Sequence, residues 1–257
     1  MEYLALILSV SLFVVMLIFL EVGRRYGLRS HVHETDQGAS GKRIVEGAFF
    51  GLMSLLIAFS FSGSVTRFDH RRELIIEESN DISTAYHRVD MLAPDAQPKM
   101  RELFRSYLDS RLAVYRALPD LDAAKMELAS SLDLQGRIWT LAVASTRDPA
   151  SHPESGRLLL PALNTMGDIA NSRTWAAMNH PPTLVIGMLF SIALICAFIA
   201  GNNLSAAKMH VPLYAIAFAL LTSFSIYVIL EVEYPRIGFV NIGKYDEALT
   251  EVRESMH

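Results

Sequence analysis

The segment from Arg43 to Leu92 constrains this chain more than any other. Its first part, Ile44 to Val65, is apolar enough to cross a bilayer. Its second part is charged, yet Phe68, Ile75, Ile82 and Val89 recur at steps of seven, and no proline interrupts it before Pro94. A seven-residue apolar repeat places one side of a helix against other helices. The pattern predicts one helix of about fifty residues, ~75 Å at 1.5 Å per residue, leaving a membrane and entering a water-soluble helical domain.

Three further windows are long and apolar: Tyr3 to Leu20, Thr183 to Ala200 and Pro212 to Leu230. No Lys or Arg precedes the first, and Glu21-Val22-Gly23-Arg24-Arg25 follows it. It reads as a retained membrane helix, with a signal peptide as the alternative. Four spans of roughly 18–20 residues suit a hydrocarbon core of about 30 Å. The composition agrees, since 51% hydrophobic residues with a net charge of −4 are too apolar for a soluble protein and too charged for a wholly membrane one. The single cysteine, Cys196, excludes an intrachain disulfide or a cysteine metal cluster. No net basic surface points to nucleic acid.

Between the second and third spans the chain reads as soluble helices. Gln97 to Leu118 carries Met100, Leu103, Phe104, Tyr107, Leu108, Leu112 and Tyr115 on one 3.6-period stripe. After Pro119, Asp120 or Asp122 caps a helix to about Thr146 that is expected to bury Leu121, Leu128, Leu132, Ile138, Trp139 and Leu141, with Gly136 a weak point. A last soluble helix runs near Leu158 to Asn179. With no β-branched alternation, the expected fold is all-α, with four transmembrane helices, two plus two, around an extramembrane four-helix bundle. The divisions are a first transmembrane hairpin over 1–65, the bundle over 66–180, a second hairpin over 181–232 and a polar, amphipathic C-terminal tail over 233–257. A polar loop, Glu21 to Lys42, joins the first two spans and holds His31 and His33, a solvated pair or two metal ligands without further ligands nearby.

The second span carries small and hydroxylated residues along one side: Gly47, Gly51, Ser54, Ala58, Ser62 and Val65, with bulky Phe61 nearby. Such a stripe lets helices approach closely in lipid, or lines a narrow polar path with Phe61 as a constriction. Glu46, one turn inside the span, needs water, a headgroup or a partner such as Arg43. Arg67, Asp69, Arg71 and Arg72 cluster at the exit, where they anchor to lipid phosphate, pair between helices or set the field at a pore mouth. Gly187 with Ser191, and Thr222, Ser223 and Ser225, are the small or polar positions of the last two spans.

No nucleophile elbow, phosphate-binding Gly-rich loop, dinucleotide turn or HExxH is present, so an enzyme is not expected, nor a cofactor or metal centre. Asn164, Asp168 and Asn171 lie on adjoining turns of the last soluble helix, and His180 follows. These bind a cation or a partner helix, or they are polar links and caps. Basic residues, Lys208 among them, are balanced across the two sides and do not decide the orientation; the first hairpin, with nothing basic before it, favours a cytoplasmic loop and an outward helical domain.

The Glu21-Val22-Gly23-Arg24-Arg25 exit, the junction Phe61-Ser62-Gly63-Ser64 with Arg67-Phe68-Asp69 and Arg72, the segment Leu163-Asn164, Asp168, Arg173, His180-Pro181, and Glu231-Val232-Glu233-Tyr234-Pro235-Arg236-Ile237-Gly238 together resemble the bestrophin-like family of bacterial membrane proteins. Bestrophins are pentameric anion channels whose second helix lines the pore. The resemblance implies a ring homo-oligomer in the inner cell membrane, passing inorganic ions along Gly47 to Val65 with Phe61 at the neck. It also implies a cytosolic helical domain. In a channel that domain would form a vestibule, and Asn164, Asp168, Arg173, His180, Glu231 and Glu233 are a candidate polar cluster. Two departures stand out. Only Glu231 and Glu233 occupy the place of an acidic calcium clasp, and small residues stand at the neck spacing. The same residues also suit a non-conducting scaffold or sensor whose bundle binds a partner.

Overall fold

The long helix forms with no break. In the computed structural model, which describes residues 3–30, 36–206, 212–236 and 238–256, α2 runs from Asp36 to His87 and passes into a 3₁₀ turn, Arg88–Met91. His31, His33, Lys208 and Ile237 lie outside the described residues. The other helices are α1 (Leu4–Ser30), α3 (Gln97–Arg116), α4 (Leu121–Ser145), α5 (Ser155–Met178), α6 (Thr183–Ala206), α7 (Pro212–Glu233) and α8 (Glu247–Ser255), with a 3₁₀ turn at Ile242–Asp246 before α8. The described residues hold no strand. Four helical stretches, in α1, α2, α6 and α7, are long and apolar enough to cross a membrane.

The chain divides into two compact units. The first takes residues 1–66 and 180–234. Here α1 lies along α6 and α7 over a core of Leu12, Met16, Leu20, Ala193, Ala197, Ala219, Ile226 and Leu230. The closest approach is backbone on backbone. A side-chain carbon on Gly23 would overlap the Phe198 carbonyl, and one on Gly201 would overlap that of Leu20. One on Gly27 would overlap the side chains of Ser205 and Asn202. Gly23 and Gly201 let α1 and α6 touch without intervening side chains. The apolar half of α2 packs more sparingly, through Met53 against Ile192 and Cys196.

The connection between α1 and α2 is shorter than the sequence suggests. The expected loop from Glu21 to Lys42 is helical over residues 21–30 and 36–42. Glu21 receives Arg24 and Arg25 at 2.8 and 2.7 Å, three and four residues on, a spacing that favours helix over loop.

The second unit takes residues 67–179 and 235–257. Its core joins Ile82 and Val89 of the seven-step row to Phe104, Tyr107, Leu108, Ile138, Leu159 and Met166, all 0% exposed. The Asp120 side chain accepts from the amides of Asp122 and Ala123 and caps α4, which continues unbroken past Gly136. One expectation fails on this helix. Leu121, Leu132 and Trp139 are 59, 60 and 39% exposed, because α4 turns Ala124, Ser131, Leu134, Ile138 and Ala142 inward instead. The small members of that row bring α4 close to α3, which larger residues would prevent. The C-terminal segment is likewise more than a tail. Leu249 and Met256 of its last turns enter the core. Arg253 holds Asp109 through two bonds of 2.8 and 2.9 Å, and the Ser79 hydroxyl donates to the Ala248 carbonyl.

Candidate functional site

On α2 the small-residue stripe is left uncovered within the protomer. Gly51, Ser54, Ala58, Phe61 and Ser62 are exposed, Val65 is half-buried, and a side-chain carbon on Gly47 or Gly51 would meet nothing within 4 Å. The helix repeat explains the division. Met53 and its neighbours face α6 and leave the stripe on another side. The Ser54 hydroxyl donates to the Phe50 carbonyl one turn back, so its own oxygen is presented outward as an acceptor. The stripe is therefore not a seam between the helices of one chain, and Gly187 in α6 is also open, with Ser191 exposed beside it.

The charges flanking the span separate. Glu46 accepts from the Asn203 amide at 2.9 Å, on α6, so its partner is a neighbouring helix and not Arg43. Asp69 pairs with Arg72 at 3.3 Å, and the Arg72 guanidinium lies over the Tyr245 ring. Arg67 is half-buried. Arg71 turns inward and is 7% exposed, donating to the carbonyls of Ala176 and Asn179 at 3.0 and 2.7 Å. A cation there satisfies acceptors that the C-terminus of α5 leaves open.

The residues of the polar cluster read from the sequence are divided between the two units. In the first unit His180 Nδ1 lies 3.0 Å from Glu233, the Ser64 hydroxyl donates to the same carboxylate at 3.0 Å, and the Tyr234 ring stacks on His180. Glu231 is buried in that unit as well. In the second unit Asn164 and Asp168 line a cleft of about 550 Å³ together with Asn171. Arg173 belongs to neither set. It joins a charged network inside the second unit.

That network centres on Glu78, wholly buried on α2. Its carboxylate accepts from Arg111 Nε at 2.6 Å and from Arg173 Nη1 at 2.5 Å. Arg173 also donates to Asp246, which receives Arg236 at 2.9 Å. The Tyr115 ring faces the guanidiniums of Arg173 and Arg236 at 3.9 and 4.3 Å. Burial alone would raise the Glu78 carboxyl, but Arg111 and Arg173 hold it below the usual glutamate range. Burial opposes the charge on Arg111, and Glu78 together with Tyr115 and Tyr107 outweighs it. Among the described residues no group of His, Cys, Asp and Glu is arranged to hold a metal ion.

A long helix with an apolar, uncovered first half and a core-building second half, flanked by three further apolar helices, is a recognisable arrangement. The bestrophin-like domain family matches residues 11–245. The chain belongs to the bestrophin-like family. Crystal structures of a bacterial bestrophin homolog from Klebsiella pneumoniae are similar to this bestrophin-like chain over nearly its whole length. One mutant form is 13% identical with a TM-score of 0.72, covering 97% of this chain and 98% of that one. Two others are 14% identical with TM-scores of 0.68 and 0.69, each covering 96% of this chain and 98% of its own. At such identity the likeness is one of fold. Comparison with curated proteins returned no match.

Within this bestrophin-like chain, the residues that sequence reasoning passed over had legible signals. Glu78 falls between Ile75 and Ile82 on the inward row of α2, a lone acid on an apolar seam. Arg111 interrupts the stripe of Tyr107, Leu108, Leu112 and Tyr115. An acid and a base each at a core position call for one another, because a buried charge without a partner is strongly disfavoured. Gly23 and Gly27 form a four-step glycine pair in α1, the same signal read on α2.

Proposed function

We propose that this protein is a homo-oligomeric ion channel of the inner cell membrane, with the apolar half of α2 lining the pore. Membership of a family whose bestrophin members are ion channels supports the class. The single observation that carries the rest is the uncovered stripe of Gly47, Gly51, Ser54, Ala58, Phe61 and Ser62, small and hydroxyl-bearing residues that the protomer itself does not use. In a ring of copies this face supplies room for an ion path and oxygen atoms along it, and Phe61, 44% exposed, is the bulky residue at its narrow point. Val65 continues the lining, and Glu46, Arg67, Asp69 and Arg72 flank it with charge, while Arg71 is turned inward onto α5. The spans fall two and two on either side of the helical unit in chain order, and five copies are the expected number from the resemblance. The partners are the lipid bilayer, further copies of the chain and inorganic ions.

Purified protein in planar bilayers tests the reading. Unitary conductance is expected, and Phe61→Ala is expected to raise it at least about twofold by widening the constriction. Silent bilayers from intact oligomers, or conductance indifferent to Phe61 and Ser62, overturn it and leave a non-conducting scaffold or sensor.

A further inference from the structure

Tyr107 lies in the centre of the helical unit, 0% exposed, and its hydroxyl has no hydrogen-bond partner among the described residues. A buried hydroxyl without a partner works against the fold, so its retention needs a reason. The same residue lines the cleft of about 550 Å³ formed by α3, α4 and α5. That volume falls within the roughly 300–1,000 Å³ of small-molecule sites.

The cleft has three chemically distinct parts. One turn from Tyr107 on α3 lies Arg111, buried and bound to Glu78, which it shares with Arg173. Along the wall stand Leu132 and Trp139, apolar yet 60 and 39% exposed. Around the rim are Asp168, exposed and without an ion-pair partner among the described residues, and the amides of Asn164 and Asn171. Arg111 is buried and engaged with Glu78, so the exposed charge of the lining is that of Asp168. That sign attracts cations and repels carboxylates, while an indole at the wall suits a ring or an ammonium.

We propose that this cleft is a binding site for a small ring-bearing organic amine. The ammonium sits on Asp168, the ring lies on Trp139, and an acceptor atom of the ligand receives the Tyr107 hydroxyl. The site is separate from the α2 stripe, and it stands or falls independently of conduction.

Tyramine is the probe, because it carries an ammonium, a ring and a phenolic oxygen. Its matched acid, 4-hydroxyphenylacetate, replaces the ammonium with a carboxylate. Calorimetric titration of the full-length protein in detergent is expected to show saturable binding of one tyramine per chain, with the acid at least about tenfold weaker. Asp168→Asn is expected to weaken tyramine about tenfold, and Tyr107→Phe several-fold. Tyr107→Phe also separates a ligand group from a structural one. Without ligand its melting temperature is expected to equal or exceed that of the parent, since no orphaned hydroxyl remains. No saturable tyramine heat, equal binding of the acid, indifference to Asp168→Asn, or a lower ligand-free melting temperature in Tyr107→Phe each overturns the proposal. So does tyramine binding that appears only after the oligomer is dissociated, which would make the cleft a seat for a second copy.

Discussion

Glu78 is the residue on which the helical unit turns. Its carboxylate is shared between Arg111 and Arg173, which come from different helices, and Arg173 carries the linkage on to Asp246. Removing one member of a buried charged set leaves the others uncompensated, which costs about 3–5 kcal/mol. Glu78→Ala is therefore expected to lower the urea midpoint and melting temperature of the purified protein sharply, with Arg111→Met in the same background restoring part of the loss. The pH dependence follows from the direction of the shift. A carboxyl held low in the folded chain contributes stability in full above the ordinary glutamate value of about 4.3, and that stability is lost as pH falls through the folded value. Melting temperature is thus expected to fall below about pH 4, and Glu78→Gln to lack this part of the fall. Tyr107 works in the opposite direction. Burial raises its hydroxyl, so the chain loses stability as pH rises above about 10, where the unfolded tyrosine ionises first, and Tyr107→Phe lacks this loss.

At the level of elements, two kinds of glycine behave differently. Gly23 and Gly201 sit where the backbones of α1 and α6 touch, and a larger side chain has nowhere to go. Gly23→Leu or Gly201→Leu is expected to abolish a monodisperse species in detergent chromatography and to expose the protein to limited proteolysis. Gly47 and Gly51 face open space within the chain. Gly47→Leu or Gly51→Leu is expected to leave the protomer's helicity by circular dichroism intact while shifting its elution to smaller particles. Loss of helicity in the second pair would show that α2 is packed within the chain after all. In α8, Leu249 is fully buried. Leu249→Ala is expected to cost about 2–5 kcal/mol, read as a lower urea midpoint, where a free tail would show no change.

For the whole molecule, the composition and the spacing of apolar residues already specify much of what is seen. The four apolar stretches, the unbroken α2, the Asp120 cap and the Ile75, Ile82 and Val89 row were all readable, because each depends on residues a few positions apart along one helix. Membership of the bestrophin-like family was legible as well, from motifs spread along the chain. Other features needed the three-dimensional arrangement. Which side of α4 turns inward was misread at Leu121, Leu132 and Trp139, since a helix with apolar residues on two sides does not say which one its neighbours will cover. The residues drawn from Asn164 to Glu233 fall in both units, Asn164 and Asp168 on a cleft, Arg173 in a charged core and His180 with Glu233, and position around a helix end does not say which side chains pair. Local pattern by itself thus determined the four apolar spans and the helices between the second and third of them, but not the helical extension of α1 past Leu20 or the presence of α8. Only tertiary packing decided that the α2 stripe is left bare and that Glu78 meets Arg111 and Arg173. Those outcomes depend on contacts between residues tens of positions apart, and local periodicity carries no record of such pairings.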